Sequence, residues 1–359
     1  GVLIPRMTAV ERDAIPSPAI GLLVYVTDTG LFYYYDGSNW IPLNGGGTGS
    51  DGWNISGSDM FSNVAGNVGI GTSSPGAKLD VAGPIWQTLT GNSVFLGEGA
   101  GENDNLSDNR GVFIGFEAGN ANTDGSNGTG VGYQALKANT TGYSNTAFGY
   151  KALTANETGG RNAAFGAAAM AANTDGQNNA AFGYGSMYLN TTGSENTALG
   201  HNALQSNTTG GSNIAIGFSA LFKNTVKEEL IAIGDSALFW NGVGANPQTQ
   251  SATENVAIGS KALRNNTAGY QNTAVGSYTM INNNYGSRNS AFGAGTLVEN
   301  TEGNNNTAIG FFSLSSNTGA NDNSALGTYA LRKNVSGFSN VAVGVNALRE
   351  NIDGNENNA

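Results

Sequence analysis

Cysteine is absent from this chain of 359 residues, which excludes a disulfide framework and a thiolate metal site. Charge is also scarce, because Asp, Glu, Lys and Arg make up only 11% of the residues, against roughly 25% in soluble domains. The net charge of −11 disfavours nucleic acid and anionic membranes as partners. No apolar run approaches the roughly 18 residues of a spanning helix, so we expect no membrane insertion of this segment.

Residues that carry chemistry are equally sparse. His201 is the only histidine and lies in a variable position of a repeat, which favours a surface role. The carboxylates form no paired column of the kind that a glycosidase needs, and no shared register typical of calcium-binding repeats. The glycines form no strand–loop–helix phosphate cradle. The sequence therefore predicts a protein with no catalytic residues, no cofactor and no metal.

What the chain does contain is a repeat. The segment Asn145-Thr146-Ala147-Phe148-Gly149 returns as Asn162-Ala163-Ala164-Phe165-Gly166, seventeen residues later. Of the fourteen intervals between the anchor glycines, twelve are 17 residues, one is 18 and one is 25. The anchors are Gly97, Gly115, Gly132, Gly149, Gly166, Gly183, Gly200, Gly217, Gly234, Gly259, Gly276, Gly293, Gly310, Gly327 and Gly344. A fixed period predicts a solenoid, in which each coil buries its apolar residues with its neighbours.

Two columns of the repeat predict a short strand before each anchor. The residue directly before the anchor is always large and apolar, as at Phe148, and alanine stands one position earlier in twelve consecutive coils, as at Ala147. Because strand side chains alternate, these two columns face opposite ways. We expect the large residues to fill the coil interior. The alanine column, including Ala198 and Ala257, would then face neighbouring subunits.

Two further columns predict the corners. Asparagine stands seven residues after the anchor in fourteen consecutive coils, and glycine stands ten residues after it in twelve of those, with Lys227 and Ala320 as the exceptions. Both residue types tolerate left-handed backbone, so we expect a left-handed corner at Asn207 and its equivalents. Stacked coils also bring identical amides about 4.8 Å apart, within reach of a hydrogen-bonded ladder. The predicted structural ladder comprises Asn139, Asn156, Asn173, Asn190, Asn207, Asn224, Asn266, Asn283 and Asn300.

The N-terminal part differs from the repeat. Residues 1–43 predict a small β-meander module with strands at 22–26, 31–35 and 39–43, after a helix-compatible run at 9–15. A Gly-rich linker is predicted at 44–65, a connector or cap at 66–91, and the solenoid shaft at 92–359. The last residues fall in the middle of a repeat and no initiator Met is present, so we interpret the chain as a segment of a longer protein.

Two resemblances extend this interpretation. The Asn-x-Ala-Φ-Gly pattern, where Φ is a large apolar residue, resembles the head repeats of trimeric autotransporter adhesins, which implies a left-handed parallel β-roll associated as a trimer. The run Asn67-Val68-Gly69-Ile70-Gly71-Thr72-Ser73-Ser74-Pro75 resembles modules of Bacteroidota surface proteins and phage tail-fibre-type proteins. In that family such modules precede repeat shafts. The fold class implied is all-β: a homo-oligomeric parallel β-solenoid with 17-residue coils.

One departure from the period marks a candidate binding site. Eight extra residues stand between Gly234 and Gly259, placed by the columns at about 245–252. Insertions in solenoids form loops on one face, often a binding face. The candidate ligand-binding residues are Trp240, Asn246, Pro247, Gln248 and Gln250. The alternative is a tolerated surface insertion without a ligand.

The sequence therefore predicts a non-enzymatic extracellular fibre or adhesin segment, on a cell surface or a virion. Its partners would be copies of itself and a cell-surface glycan or protein receptor, bound through avidity. Two alternatives stay open: a phage or contractile-injection-system tail fibre with the same fold, and a tailspike-like polysaccharide depolymerase. Ice binding would require an unbroken threonine column, which the repeat does not have.

Overall fold

The computed structural model describes residues 4–43, 92–244 and 251–359, together with the backbone of four strands between residues 53 and 81. The chain divides into two compact units, Gly1–Trp86 and Gln87–Ala359. In the first unit, the described residues form one short helix and eight strands. These are β1 (Arg6–Met7), α1 (Ala9–Asp13), β2 (Leu23–Val26), β3 (Leu31–Tyr35), β4 (Trp40–Pro42), β5 (Trp53–Ser56), β6 (Asp59–Ser62), β7 (Val68–Ile70) and β8 (Leu79–Val81).

Strands β2, β3 and β4 form the predicted antiparallel meander. The sequence did not reveal β1, a two-residue strand that pairs in parallel with β2 and makes the sheet mixed. Helix α1 follows β1 and begins at a capping box, in which Thr8 accepts from the backbone of Glu11 and the Glu11 side chain accepts from Thr8. The core of this sheet contains Val24 and Val26, both fully buried.

The backbone between residues 53 and 81 forms two further strand pairs. Strands β5 and β6 pair as an antiparallel hairpin within the interval predicted as linker. Strands β7 and β8 pair in parallel within the predicted connector.

The second unit is a parallel β-solenoid with one three-residue strand per coil, which confirms the predicted solenoid and its 17-residue period. Fifteen strands, β9 to β23, lie side by side in chain order in a single sheet. Their register follows the 17-residue period, so that Ala147 pairs with Ala164 and Phe148 with Phe165. The strands are Val94–Leu96, Val112–Ile114, Thr129–Val131, Thr146–Phe148, Ala163–Phe165, Ala180–Phe182, Thr197–Leu199, Ile214–Ile216, Ile231–Ile233, Val256–Ile258, Thr273–Val275, Ser290–Phe292, Thr307–Ile309, Ser324–Leu326 and Val341–Val343.

The predicted direction of the strand side chains is wrong. The alanine column is inside the coil: Ala147, Ala198 and Ala257 are fully buried. The large apolar column points out, and Phe148 is 39% and Leu199 48% exposed. The reason is what stands across the coil. From the coil of Gly132 onward, a Leu or Met four residues after the anchor, such as Leu153, already fills the narrow interior and leaves room only for alanine on the strand side.

The anchor glycine is required by both conformation and space. All fifteen anchors have left-handed φ values between 126° and 142°. A Cβ atom added at Gly149 would lie 2.6 Å from the carbonyl oxygen of Gly166 in the next coil. No other residue type fits this close approach, which explains the strict recurrence of glycine at the end of each strand.

The predicted left-handed corner at Asn207 and its equivalents is also wrong. Neither the asparagine column nor the glycine three residues after it has positive φ. The left-handed residues are two, four and twelve positions after the anchor, as at Lys151, Leu153 and Arg161. The glycine ten residues after the anchor is needed only for the space around it, because a Cβ atom added at Gly159 would lie 2.5 Å from the carbonyl oxygen of Gly176.

The asparagine side chains are buried and hydrogen-bonded from coil to coil. Asn156 donates through Nδ2 to Oδ1 of Asn139, at 2.7 Å, and to the carbonyl of Gly159, at 3.0 Å. The pattern extends from Asn139 to Asn351. At the first rung Asp104 replaces asparagine and accepts from Asn122 Nδ2, at 2.9 Å. The carboxylate only accepts, so it ends the series without an unpaired donor.

A second asparagine column stands just before the strands. Asn145 Nδ2 donates to the carbonyl of Gly159, at 2.7 Å, while Asn145 Oδ1 accepts from the backbone N–H of Asn162, at 3.0 Å. The column is interrupted at Leu230, whose side chain is fully buried and whose backbone N–H still donates to Asn213 Oδ1. Side-chain amides thus satisfy backbone groups that the three-residue strands leave over.

Candidate functional site

The outward face of the solenoid sheet carries an uninterrupted column of large apolar side chains, which we call the apolar stripe. It contains one residue per strand, fifteen in all: Leu96, Ile114, Val131, Phe148, Phe165, Phe182, Leu199, Ile216, Ile233, Ile258, Val275, Phe292, Ile309, Leu326 and Val343. Each is half-buried or exposed, up to 63% at Leu96. Sequence reasoning detected this column but assigned it to the coil interior.

The column two residues earlier lies on the same face and widens the stripe. It contains only Val, Thr, Ala, Ile and Ser, with no charged residue. Neighbouring rings pack along the sheet, and the Phe165 ring stacks on Phe148 at 5.2 Å and on Phe182 at 4.8 Å between centroids. At ~4.8 Å per strand and ~3.3 Å per residue, the face measures roughly 600 Å². Exposed apolar patches of this size on soluble proteins commonly mark interaction surfaces.

The insertion lies between Asn241 and Ala252. Asn241 keeps its place in the amide series, and its Nδ2 donates to the carbonyl of Ala252, at 2.9 Å, as it would to the glycine of an ordinary coil. The predicted site residue Trp240 is 37% exposed and directly precedes the insertion. The other predicted site residues, Asn246, Pro247, Gln248 and Gln250, lie outside the described residues.

Trp240 belongs to a cluster of rings and cations. Its ring meets Phe239 edge-on at 5.2 Å, and Phe239 stacks on Phe222 at 5.0 Å. Lys223 Nζ lies 5.9 Å from the Trp240 ring, and the Arg264 guanidinium carbon lies 5.1 Å from the Phe239 ring. These contacts hold the indole in place at the base of the insertion.

Lys227 takes the place of the coil glycine in the turn before the insertion. Its side chain is buried, and a Cβ added at Gly242 would lie 3.0 Å from Lys227 Cγ. Burial lowers the pKa of the Lys227 ammonium group, and the nearby charge of Glu228 partly opposes this shift. A buried lysine side chain therefore lies against Gly242, just before the extra residues begin.

Other titratable groups form no cluster in the described part of the chain. His201 is exposed and lies between the rings of Tyr184 and Phe218, at 5.2 and 5.5 Å. A hydrogen bond from Lys137 lowers the pKa of Glu117, with a smaller effect from Gln134. Within residues 4–43, 92–244 and 251–359, no group of three or more His, Asp or Glu side chains is arranged to hold a metal ion.

Among the described residues, no helix has both the length and the apolar character needed to cross a bilayer.

Comparison with known proteins gives one match. A family model described as a phage tail like trimerisation region matches residues 1–58. The matched range includes the N-terminal mixed sheet and none of the solenoid coils. A search of curated proteins and a search of solved structures found no match to the chain. The trimerisation region and the solenoid together fit a fibre-like structural segment.

Proposed function

We propose that this chain is a non-enzymatic segment of a homotrimeric extracellular fibre, whose three solenoids pack through their apolar stripes. The observation that carries the proposal is the continuous apolar column from Leu96 to Val343 on the outward face of the sheet. The match of residues 1–58 to a trimerisation region supports three as the number of subunits. Its description favours a fibre of the phage-tail type over a cellular adhesin.

Burial of the stripe provides a driving force of the right kind. Covering a half-exposed leucine-sized side chain contributes about 1 kcal/mol, before the entropy cost of association. One such residue in each coil gives a contact that grows with the length of the solenoid. The two outward columns of the sheet contain no charged residue, so this face offers no ion pair to a charged partner. An apolar face of a second copy of the chain suits it better.

Attachment to a surface is the role we propose for this fibre, with the insertion beside Trp240 as one binding element. Deleting 245–252 restores a 17-residue interval and places Gly244 ten residues after the anchor Gly234. We expect the deletion variant to fold while its adhesion to the target cells falls. Unchanged adhesion would identify the insertion as a tolerated loop.

A tailspike-like depolymerase would require an acid pair between subunits. Degradation of a capsular polysaccharide by the purified protein would reveal such an activity.

The trimer is tested by mass and by crosslinking. Light scattering of the parent should give three times the chain mass of 36.6 kDa. Phe182→Asp and Phe292→Asp, both on the stripe, should each lower the measured mass or raise the protein concentration needed for assembly. In each variant the three subunits would bring three like charges together at the trimer axis. Tyr285→Asp is the control, since Tyr285 is 60% exposed and off the stripe. A monomeric parent would contradict the proposal.

The absence of cysteine allows a second test. Leu199→Cys should form disulfide-linked dimers under mild oxidation, because symmetry places equivalent stripe residues near one another. Tyr285→Cys should not. Equal crosslinking of the two variants would remove the stripe from the interface even if the N-terminal region trimerises.

A further inference from the structure

A second column of side chains, directly after the anchor glycine, forms a stack of exposed rings. Phe116, Tyr133 and Tyr150 stack at 5.3 Å between successive centroids. Tyr184, His201 and Phe218 continue the column at 5.2 and 5.5 Å. The planes are within 20° of parallel throughout. We call these six residues the ring column.

The ring column lacks one ring. The coil between Tyr150 and Tyr184 has Ala167 at this position. It also has alanine at 168, 171 and 172, where at least one flanking coil carries a larger side chain, namely Lys151, Tyr188 and Leu189 in turn. An open notch of about 620 Å³ lies here, and its lining contains these three alanines together with Tyr150 and Tyr184. Two coil spacings separate these rings by about 9.6 Å.

The size of the gap suits one ring-shaped guest. A ring placed midway would lie about 5 Å from each tyrosine, within the range of favourable ring contacts. The rings of Tyr150 and Tyr184 each stack on a neighbour on the side away from the notch, which holds them in orientation. Both are exposed, at 52% and 60%. The guest would therefore enter a preformed slot with little reordering of side chains.

The polar groups of the notch indicate what the guest carries. Thr154, Asn202 and Gln205 line it with a hydroxyl and two amides, and Lys151 supplies the single charge. The Oδ1 atom of Asn202 is buried without a hydrogen-bond partner in the described structure. A phenylalanine side chain of a partner protein offers nothing to these groups, and tyrosine or tryptophan offers only one polar group. The hydroxyl groups of a sugar both donate and accept, and the apolar faces of its ring pack on tyrosine.

We propose that this notch binds one hexopyranose unit of a neutral glycan, held between Tyr150 and Tyr184. The acidic chain disfavours anionic sugars. The proposal deepens the attachment role given above, because it names the ligand class of a site separate from the insertion. In a trimer the notch occurs three times, so a weak monovalent contact gains avidity.

The test uses the full chain and four probes: maltotriose, cellotriose, N,N′,N″-triacetylchitotriose and lactose. Saturation-transfer NMR should show at least one of them binding with a millimolar or tighter Kd. Ala167→Tyr fills the missing position and should weaken that binding at least tenfold, while leaving thermal stability equal or higher. Ala167→Ser leaves the notch open and should bind as the parent does. Tyr150→Ala and Tyr184→Ala should each lose about three- to tenfold.

Phe116→Ala is the matched control, because Phe116 is an exposed member of the ring column that stacks on Tyr133 and does not line the notch. Binding that survives Ala167→Tyr, or that Phe116→Ala weakens as much as Tyr150→Ala does, would overturn the proposal. So would the absence of binding by all four sugars, or preferential binding of N-acetylphenylalanine amide, which would assign the notch to an aromatic side chain. Light scattering of the same variants reports trimer formation independently, so failure of the sugar site and failure of the fibre proposal remain distinguishable.

Discussion

Individual glycines in this solenoid meet different demands although they recur with the same period. Gly310 is an anchor with φ of 127°, and a Cβ added there would lie 2.5 Å from the carbonyl oxygen of Gly327. Gly319, nine residues later in the same coil, does not have positive φ and has no atom within 4 Å of an added Cβ. Gly310 therefore requires glycine for both its backbone conformation and the space around it, whereas Gly319 requires glycine for neither.

We expect Gly310→Ala to lower the free energy of unfolding by more than about 2 kcal/mol, because left-handed strain and a backbone clash act together. Gly319→Ala is the matched control and should be neutral or stabilising by up to about 1 kcal/mol, through loss of chain entropy in the unfolded state. Chemical denaturation of the two variants makes the comparison. Equal costs would mean that the anchor approach is not as close as described.

For individual residues, the period located the recurring columns of the coil but not the backbone conformation of each column. The period located Asn156 and Gly159 as corner residues, yet their backbones are not left-handed. Left-handed residues such as Lys151 and Leu153 have side chains that normally avoid this conformation. Hydrogen bonds to neighbouring coils impose it: the Lys151 N–H donates to Tyr133 O, and the Leu153 N–H donates to Ala169 O. No local propensity signals a constraint that comes from stacked neighbours.

Each strand has only three residues, and this shortness explains the error in side-chain direction. Alternation predicts that Ala198 and Leu199 face opposite ways, but three residues are too few to show which face is buried. The buried face is determined by what lies across the coil, where Leu204 is fully buried.

The insertion site was likewise only partly predictable from the sequence. Trp240 and the start of the insertion could be predicted from the period, whereas the cluster with Phe222 and Arg264 depends on coil stacking.

The orientation of the strands leads to an element-scale prediction. Ala198→Leu adds volume to a filled coil interior and should lower the free energy of unfolding by about 1–3 kcal/mol. The conservative change Leu199→Met on the outward face should leave folding nearly unchanged. Thermal unfolding followed by circular dichroism measures both. If Ala198→Leu alters only the oligomer mass and not the stability of the fold, the alanine column does not line the interior.

Across the solenoid unit, the period determines the architecture more firmly than any single residue. The 17-residue repeat was sufficient to predict a parallel solenoid, because few architectures besides stacked coils keep apolar columns in register over so many repeats. The N-terminal unit has no such redundancy, and its strand β1 contains only Arg6 and Met7, too few residues to carry a pattern. The sequence also shows how far a coil can vary: intervals of 18 and 25 residues occur, but none shorter than 17. Extra residues can loop out, whereas missing ones cannot be replaced.

This asymmetry predicts the effect of deletions. Removing 294–310 takes out one whole coil, including the strand Thr307–Ile309, and joins Gly293 to Phe311 with every column still in phase. Because repeat stability is roughly a sum of local and neighbour terms, we expect an intact solenoid that is one coil shorter and only slightly less stable. Removing 294–313 leaves an interval of 14 residues, too short to close a coil. That variant should show faster amide exchange and protease cleavage in the coils around Gly276 and Gly327, with distant coils protected. If both deletions are equally tolerated, coil length is not what closes the solenoid.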